Sequence, residues 1–165
     1  MAEVVEDKAS GRVLDLGTGS GIQGIVAAKK GCDVTFADID DEAIACAKEN
    51  AKANGVSGTF VKSDMFSNIT GRFDTIIFNP PYVPSKPLGR MKENRLCRAL
   101  DGGKMGRELI DPFLEKYRGF LDEGGIALLL ESRHNRYEDD VSRQCAQIVL
   151  KKHYFFEDLV VLLLH

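Results

Sequence analysis

Residues 15–21 read Asp-Leu-Gly-Thr-Gly-Ser-Gly and begin at the end of a short apolar run at residues 13–16. A helical pattern starts at residue 21 and stops before Gly31, a residue type that commonly terminates helices. A glycine-rich turn between a strand and a helix lets the backbone approach a ligand closely and presents free N–H groups of the helix start. This stretch therefore predicts the first strand, turn and helix of an open α/β sheet, in which ligands bind at the carboxyl ends of the strands.

The rest of the chain continues the alternation of apolar runs with helical patterns. We predict strands at 13–16, 33–37, 59–62, 75–78 and 126–130, helices at 21–30, 41–54, 106–120 and 137–145, and two closing strands at 147–154 and 159–164. Such alternation is typical of a parallel sheet covered by helices on both faces. The predicted fold class is a doubly wound, Rossmann-like α/β sheet of seven mostly parallel strands with an antiparallel last strand, in a single domain covering 1–165.

Composition and charge narrow the classes of function. The 165 residues suffice for one domain with a substantial core, and 44% of them are apolar. A net charge of −3 disfavours unassisted, nonspecific binding to nucleic acid. We expect a cytoplasmic protein without a membrane association, because no signal-peptide pattern or membrane-spanning run is visible. We also expect no metal site, because the four cysteines lack metal-ligand spacing; they fit reduced thiols and are Cys32, Cys46, Cys97 and Cys145.

Three carboxylates follow or end the first three predicted strands. Asp15 would repel a pyrophosphate but could pair with the amino group of a methionine moiety. Asp38 could accept hydrogen bonds from both hydroxyls of a ribose, and Asp64 could accept one from the exocyclic amine of an adenine, with Met65 and Phe66 packing near the ring. Each could instead be an ordinary turn residue. The predicted cofactor-binding residues are Asp15, Gly17, Thr18, Gly19, Gly21, Asp38, Ile39, Asp64, Met65 and Asn79.

Residues 79–82 read Asn-Pro-Pro-Tyr after the fourth predicted strand and form the most specific motif of the chain. A planar amide or exocyclic nitrogen is a poor nucleophile, because its lone pair is delocalised. The Asn79 side-chain oxygen and the Pro80 carbonyl could accept its two N–H bonds, on a segment that two prolines stiffen. Tyr82 offers a ring for stacking. Since methyl transfer from a sulfonium depends mainly on alignment, we predict Asn79, Pro80 and Tyr82 as catalytic and Asn79, Pro80, Pro81 and Tyr82 as substrate-binding.

The motifs DLGTGSG (15–21), ADID (37–40), SDMF (63–66) and NPPYVP (79–84) occur in this order, with ALDGGKMGR at 99–107 and FFEDL at 155–159. This pattern resembles the class I methyltransferases of the HemK-like, release-factor glutamine methyltransferase family, in its short archaeal and eukaryotic branch. The resemblance implies S-adenosylmethionine as cofactor and S-adenosylhomocysteine as product. It implies the glutamine of the Gly-Gly-Gln motif in a peptide-chain release factor as substrate. It also implies a small zinc-binding activator protein as partner at a sheet edge, with strand three as the candidate edge.

The sequence departs from this family before the first strand. The bacterial branch carries an N-terminal helical substrate domain there, and the short branch carries an acidic Pro-x-Glu-Asp-Thr segment that helps to cover the cofactor. Residues 4–7, Val-Val-Glu-Asp, do not match that segment. We therefore expect this difference to bear on cofactor affinity and on catalytic competence.

Three other interpretations compete with this one. A methyltransferase acting on an exocyclic amine of adenine or guanine in RNA or DNA could use the same geometry, and a basic stretch after residue 82 supports it, with Lys86, Arg90, Lys92, Arg95 and Arg98. A nicotinamide-dependent oxidoreductase would use Gly19, Gly21 and Gly24 as a GxGxxG motif. A noncatalytic scaffold would only bind a partner. Glycines at 102, 103 and 106 are expected to hinge a lid over the substrate.

Overall fold

The computed structural model describes residues 1–85, 100–154 and 157–165. Within these ranges, five α-helices and seven strands have defined bounds. In chain order they are α1 (Ala2–Lys8), β1 (Arg12–Leu16), α2 (Ile22–Lys29), β2 (Asp33–Asp38), α3 (Asp41–Ala53), β3 (Thr59–Lys62), β4 (Phe73–Phe78), α4 (Ile110–Lys116), β5 (Leu121–Ser132), α5 (Tyr137–Gln144), β6 (Gln147–Tyr154) and β7 (Glu157–Leu164). Short 3-10 helices follow α4 at Tyr117–Phe120 and β5 at Arg133–Asn135. The predicted basic stretch, together with Cys97, lies outside the described residues.

All seven strands join one sheet in the order β3-β2-β1-β4-β5-β7-β6. The pairs from β3 to β5 are parallel, whereas β7 is antiparallel to both β5 and β6. The predicted fold class is confirmed, including the antiparallel last strand. Strand β3 forms one edge of the sheet, as predicted, and β6 forms the other.

Helices cover both faces of the sheet. One face packs α1, α2 and α3 over a cluster that includes Val34, Phe36 and Leu128. The other face packs α4 and α5 over a cluster that includes Phe78 and Phe113, whose ring centroids lie 4.7 Å apart. Successive side chains of a strand point to opposite faces, so each central strand supplies residues to both clusters. This is the doubly wound arrangement expected from the alternating pattern.

The largest differences from the prediction concern three elements, and β4 and β7 each also begin two residues earlier than predicted. Helix α1 was not predicted, although Val4 and Val5 are buried in the core. Strand β5 begins at Leu121 rather than 126, because Leu121 already pairs with Phe73 before a bulge. The helix predicted at 106–120 is a seven-residue α-helix followed by a 3-10 turn. No helix of the described residues is long and apolar enough to span a bilayer.

The sheet brings the predicted motifs together at the carboxyl ends of its strands. Leu16 pairs with Ala37 on one side and with Phe78 on the other. The residues that follow these positions are therefore neighbours at the carboxyl ends of three adjacent strands, about 4.8 Å apart from strand to strand. The glycine turn, Asp38 and Asn79 lie together as a result.

Candidate active site

The glycine turn after β1 is a tight bend held by the neighbouring strand. The Thr18 amide donates to the Ala37 carbonyl at 2.9 Å, and the Gly21 amide donates to the Thr18 carbonyl at 2.9 Å. Gly21 has φ of +84°, and a side chain there would lie 3.1 Å from Ala47 of α3. No atom of the described residues lies within 4 Å of the Cβ position at Gly19. The turn therefore leaves open space beside Gly19, where a ligand can approach the backbone.

Asp15 is buried beneath this turn, with 2% of its surface exposed. Its Oδ2 accepts hydrogen bonds from the Thr18 hydroxyl at 2.6 Å and from the Gly24 amide at 2.8 Å. Burial raises the pKa of the Asp15 carboxyl to about 7, although both hydrogen bonds oppose the shift. Both bonds end at Oδ2, so Oδ1 is left for a further donor. A cationic ligand group would favour the ionised form and bind to this carboxylate.

Asp38 fixes the loop that faces the glycine turn. Its Oδ2 accepts from the Gly19 amide at 2.9 Å, and its Oδ1 accepts from the Asp40 amide at 3.0 Å. Each carboxylate oxygen has a second lone pair, so Asp38 can still accept from a diol. Ile39, the next residue, is 60% exposed. Exposure of a large apolar side chain beside a polar anchor suits the stacking of a flat ring on Ile39.

The turn after β3 carries the remaining predicted contacts. Asp64 is exposed, and its side chain makes no hydrogen bond within the described ranges. Met65 is half-buried with φ of +48°, a left-handed conformation that the Ser63 hydroxyl supports by donating to the Met65 carbonyl at 2.7 Å. Phe66 points away into the core and stacks on Phe120 with centroids 4.4 Å apart. The expected packing of Phe66 near a ligand ring is therefore wrong, because its ring is buried in the apolar core against Phe120.

Asn79 leaves β4 next to the glycine turn, since Phe78 pairs with Leu16. Its side chain is exposed, whereas Pro80 is buried. No donor among residues 1–85, 100–154 and 157–165 reaches the Asn79 side chain or the Pro80 carbonyl. Within these ranges, the Asn79 side-chain oxygen and the Pro80 carbonyl on the adjacent residue therefore have no hydrogen-bond donor.

Tyr82 occupies a different environment from Asn79. Its ring is half-buried against the hydrophobic cluster on the α1–α3 face. Burial raises the pKa of the Tyr82 hydroxyl above its ordinary value, and the charges of Glu157 and Tyr154 add to this shift. The Tyr82 carbonyl accepts a hydrogen bond from Asn135 Nδ2 at 2.9 Å. Asn135 was missed by sequence reasoning, because a lone polar residue after β5 gives no local signal of such a contact.

Residues 82–85 lie beside residues 100–106, and backbone hydrogen bonds join the two segments into a narrow neck. The Val83 amide donates to the Leu100 carbonyl at 3.0 Å, and the Gly102 amide donates to the Val83 carbonyl at 2.9 Å. A side chain at Gly102 would lie 2.4 Å from the Pro81 carbonyl, and one at Gly106 would lie 2.1 Å from the Tyr82 carbonyl. These glycines allow the two backbone segments to touch, and the hinged lid expected at these positions stays a prediction.

A cluster of charged side chains around Arg107 follows the neck directly in the chain. Arg107 bonds Asp140 through two nitrogens, at 2.6 and 3.0 Å, and Asp111 at 2.6 Å. Glu131 is fully buried, with its nearest carboxylate oxygen 3.7 Å from Arg107. Burial and the neighbouring Asp140 charge raise the pKa of the Glu131 carboxyl well above its usual range. The Glu131 carboxyl is thereby shifted toward its neutral form.

The strand order, the glycine turn after β1 and the Asn-Pro-Pro-Tyr segment after β4 together define a class I methyltransferase fold. The model of the methyltransferase small domain family matches residues 1–99, more than half of the chain. The chain belongs to this family.

Curated relatives include enzymes named for glutamine and for ribosomal RNA. A candidate protein N5-glutamine methyltransferase of Methanocaldococcus jannaschii is 44% identical over 121 residues, which cover 73% of this chain and 61% of that protein. The release factor glutamine methyltransferase of Deinococcus radiodurans is 36% identical over 127 residues, covering 73% and 45%. Ribosomal RNA small subunit methyltransferase C of Chromohalobacter salexigens is 35% identical over 104 residues, covering 60% and 31%. The chain thus spans at most about three fifths of these relatives.

Solved structures share the fold. A ribosomal protein L11 methylase from Lactobacillus delbrueckii aligns with a TM-score of 0.70 at 24% identity, covering 98% of this chain and 75% of that one. A 16S rRNA N2 G1207 methyltransferase from Thermus thermophilus, solved with AdoMet and guanosine, aligns with a TM-score of 0.67 at 22% identity, covering 93% and 37%. These similarities support the class I fold described above.

Proposed function

We propose that this chain is an S-adenosylmethionine-dependent N-methyltransferase that methylates the glutamine side-chain amide of a Gly-Gly-Gln motif in a peptide-chain release factor. One observation carries the proposal: among the described residues, no donor reaches the Asn79 side-chain oxygen or the Pro80 carbonyl, which follow β4 beside the open glycine turn. A primary amide has two N–H bonds and a planar nitrogen, so it matches a pair of acceptors on a stiff segment. The glutamine-directed relatives support this choice of amide.

The residues at the carboxyl ends of β1, β2 and β3 would each bind a different part of the cofactor. Asp15 would bind the amino group of the methionine moiety through Oδ1, and Asp38 would accept from the ribose hydroxyls. Ile39 and Met65 would pack against the adenine, and Asp64 would accept from its exocyclic amine. Backbone groups of Gly17, Thr18, Gly19 and Gly21 would line the bend. When bound, S-adenosylmethionine supplies an electrophilic methyl group and leaves as S-adenosylhomocysteine.

The acceptor side of the reaction is carried by residues 79–82. Asn79 Oδ1 and the Pro80 carbonyl would each accept one N–H bond and hold the nitrogen in line with the methyl group. Both bonds favour a pyramidal nitrogen, whose lone pair is then available for the new N–C bond. The surplus N–H proton leaves to water after transfer, so no dedicated base is required. Orientation of this kind can contribute about 7–11 kcal/mol to lowering the barrier.

A labelling experiment tests the substrate. The chain would be incubated with S-adenosylmethionine carrying a labelled methyl group and with a release factor, its Gly-Gly-Asn variant, or ribosomal RNA. We expect label in the Gly-Gly-Gln protein, as N5-methylglutamine, and none in the variant or the RNA. Label in the RNA alone would instead favour an exocyclic amine of adenine or guanine, the second candidate, which the ribosomal RNA methyltransferase relative supports.

A zinc-binding activator protein is part of the proposal, with β3 as its docking edge. Within residues 1–85, 100–154 and 157–165, β3 pairs only with β2, so its outer side has backbone groups for a further strand. One of them, the Lys62 carbonyl, already accepts from Asn68 Nδ2 at 2.9 Å. Hydrogen exchange of the β3 amides would be measured with and without such a protein. Slower exchange on mixing is expected, and unchanged exchange across Thr59–Lys62 would contradict this edge as the interface.

Replacing Asp38 by alanine should weaken cofactor binding. The change removes the acceptor for the ribose hydroxyls and the two amide bonds that hold the facing loops. Loss of charge-assisted hydrogen bonds costs about 1.5–3 kcal/mol, or roughly 10- to 150-fold in Kd. Isothermal calorimetry would measure this Kd. Asp33→Ala, at the opposite end of the same strand, is the matched control, and equal affinity of both variants would refute the ribose assignment.

Cofactor affinity should rise with pH through neutrality. The pKa of Asp15 is raised to about 7 by burial, so the carboxyl is protonated below pH 7 and must lose its proton to pair with an ammonium group. Affinity should therefore fall, by up to about tenfold per pH unit, below pH 7 and level off above it. Calorimetry at pH 6, 7 and 8 measures this slope. Asp15→Asn should flatten it, and a wild-type affinity independent of pH would contradict the pairing.

A further inference from the structure

Asn135 is not among the proposed cofactor-binding residues, but it contacts the segment that carries the proposed acceptors. It ends the 3-10 turn after β5 and is fully buried. Its Nδ2 donates to the carbonyl oxygens of Tyr82 at 2.9 Å, Gly106 at 3.0 Å and Met105 at 3.3 Å. Its Oδ1 accepts from the Ser132 amide at 2.7 Å. The side-chain amide thus joins both segments of the neck, residues 82–85 and 100–106, to the end of β5.

These contacts use both N–H donors of the Asn135 side-chain amide, and its Oδ1 accepts one hydrogen bond. An amide group has two N–H donors, and here they serve carbonyl groups on both sides of the neck. Gly106 makes the arrangement possible, since a side chain there would lie 2.4 Å from Asn135 Nδ2. A shorter or apolar side chain at position 135 would leave buried carbonyls without a donor.

Arg107 holds Asn135 itself in place. Its guanidinium donates to the Asn135 carbonyl and bonds Asp140 through two nitrogens. A guanidinium is planar and presents its donors in fixed directions. The turn that carries Asn135 is therefore anchored to the first turn of α5, where Asp140 lies.

We propose that Asn135 is a positioning residue for methyl transfer, which by binding the Tyr82 carbonyl holds in place the segment that carries the Pro80 carbonyl. The proposal rests on the function proposed above. Prolines fix φ at residues 80 and 81, and Pro81 also restricts ψ of Pro80, whereas ψ of Pro81 and the torsions of Tyr82 stay free to rotate. A hydrogen bond at the Tyr82 carbonyl limits this movement at the C-terminal end of the segment. Since a misplacement of about 1 Å can cost about 100-fold in rate, a contact two residues from the acceptor is enough to affect turnover.

Asn135→Ala separates positioning from folding through its kinetic parameters. We expect kcat for the glutamine substrate to fall at least tenfold, while the cofactor Kd and the cofactor-binding stoichiometry stay within about threefold of wild type. The matched control is Ser132→Ala, which removes a capping bond to the His134 amide in the same turn but keeps the backbone donor to Asn135. Its kcat should stay within about twofold of wild type. A kcat for Asn135→Ala equal to that of Ser132→Ala would overturn the proposal.

Asn135→Asp provides a second variant of nearly the same shape. An ionised carboxylate would face carbonyl oxygens and donate nothing, whereas a protonated carboxyl could donate one hydrogen bond. At saturating cofactor, its kcat relative to wild type should therefore rise as the pH falls, and Asn135→Ala should show no such recovery. A pH-independent ratio for Asn135→Asp would contradict positioning through a donated hydrogen bond.

A readout without substrate distinguishes failure of this proposal from failure of the proposed function. The amides of Val83 and Gly102 bond across the neck, and their hydrogen exchange should accelerate at least tenfold in both Asn135 variants and stay unchanged in Ser132→Ala. Wild-type protein that binds cofactor but never methylates glutamine would refute the proposed function alone. Unaltered exchange in the Asn135 variants would refute the positioning role.

Discussion

Asn79→Ala should reduce methyl transfer at least about 100-fold while leaving cofactor affinity nearly unchanged. The substitution removes one of the two acceptors that would align the amide nitrogen, and orientation supplies much of the rate in such a reaction. Cofactor binding should persist because Asp15 and Asp38, on the neighbouring strands, remain in place. Initial rates with labelled methyl donor and calorimetry with S-adenosylhomocysteine would measure the two quantities.

Asn79→Asp serves as the control for this first prediction. It retains an oxygen acceptor at the same position, so its turnover should exceed that of Asn79→Ala. Equal and wild-type-like turnover in both variants would remove Asn79 from the reaction. A parallel loss of cofactor binding in Asn79→Ala would show that the cofactor contact also predicted for Asn79 outweighs its part in holding the amide.

Gly106→Ala should open the neck and destabilise the fold. Gly106 has φ of +70°, and the added methyl group would lie 2.1 Å from the Tyr82 carbonyl and 2.4 Å from Asn135 Nδ2. Positive φ in a non-glycine residue and overpacking each cost about 1–3 kcal/mol. We therefore expect the free energy of unfolding to fall by about 2–5 kcal/mol in a denaturant titration, with a large loss of turnover.

Gly119→Ala is the matched glycine control. In the part of the chain that the structure describes, no atom lies within 4 Å of its Cβ position, and its φ is not positive. The stability of Gly119→Ala should stay within about 1 kcal/mol of wild type. If Gly106→Ala were as stable and active as Gly119→Ala, the close packing of the neck would play no part in the enzyme.

The sequence was sufficient to predict the features that depend on local pattern. The glycine turn at 15–21 and the Asn-Pro-Pro-Tyr segment contain their own conformational signals, and period-two and helical patterns placed most strands and helices. Helix α1 was missed because seven residues form a marginal helix alone, and burial of Val4 and Val5 in the core stabilises it. Likewise, β5 extends to Leu121 because Phe73 is available as a partner across a bulge.

Long-range contacts explain what the sequence did not predict in the site. Asn135 lies 53 residues from Tyr82, and no local pattern connects the two positions. The glycines at 102 and 106 suggested mobility when considered alone. Their function as contact points became evident only with the opposing carbonyls of Pro81 and Tyr82 in place. Phe66 was similarly assigned to a ligand because its partners Phe113 and Phe120 are distant in sequence.

The central claim is that Asn79 and Pro80 hold the two N–H bonds of a glutamine amide beside the cofactor methyl position. A crystal structure with S-adenosylhomocysteine and a peptide containing Gly-Gly-Gln tests it most directly. We predict the glutamine Nε2 at about 2.9 Å from both Asn79 Oδ1 and the Pro80 carbonyl oxygen. A glutamine amide bound elsewhere, or with either oxygen turned away from its nitrogen, would contradict the account.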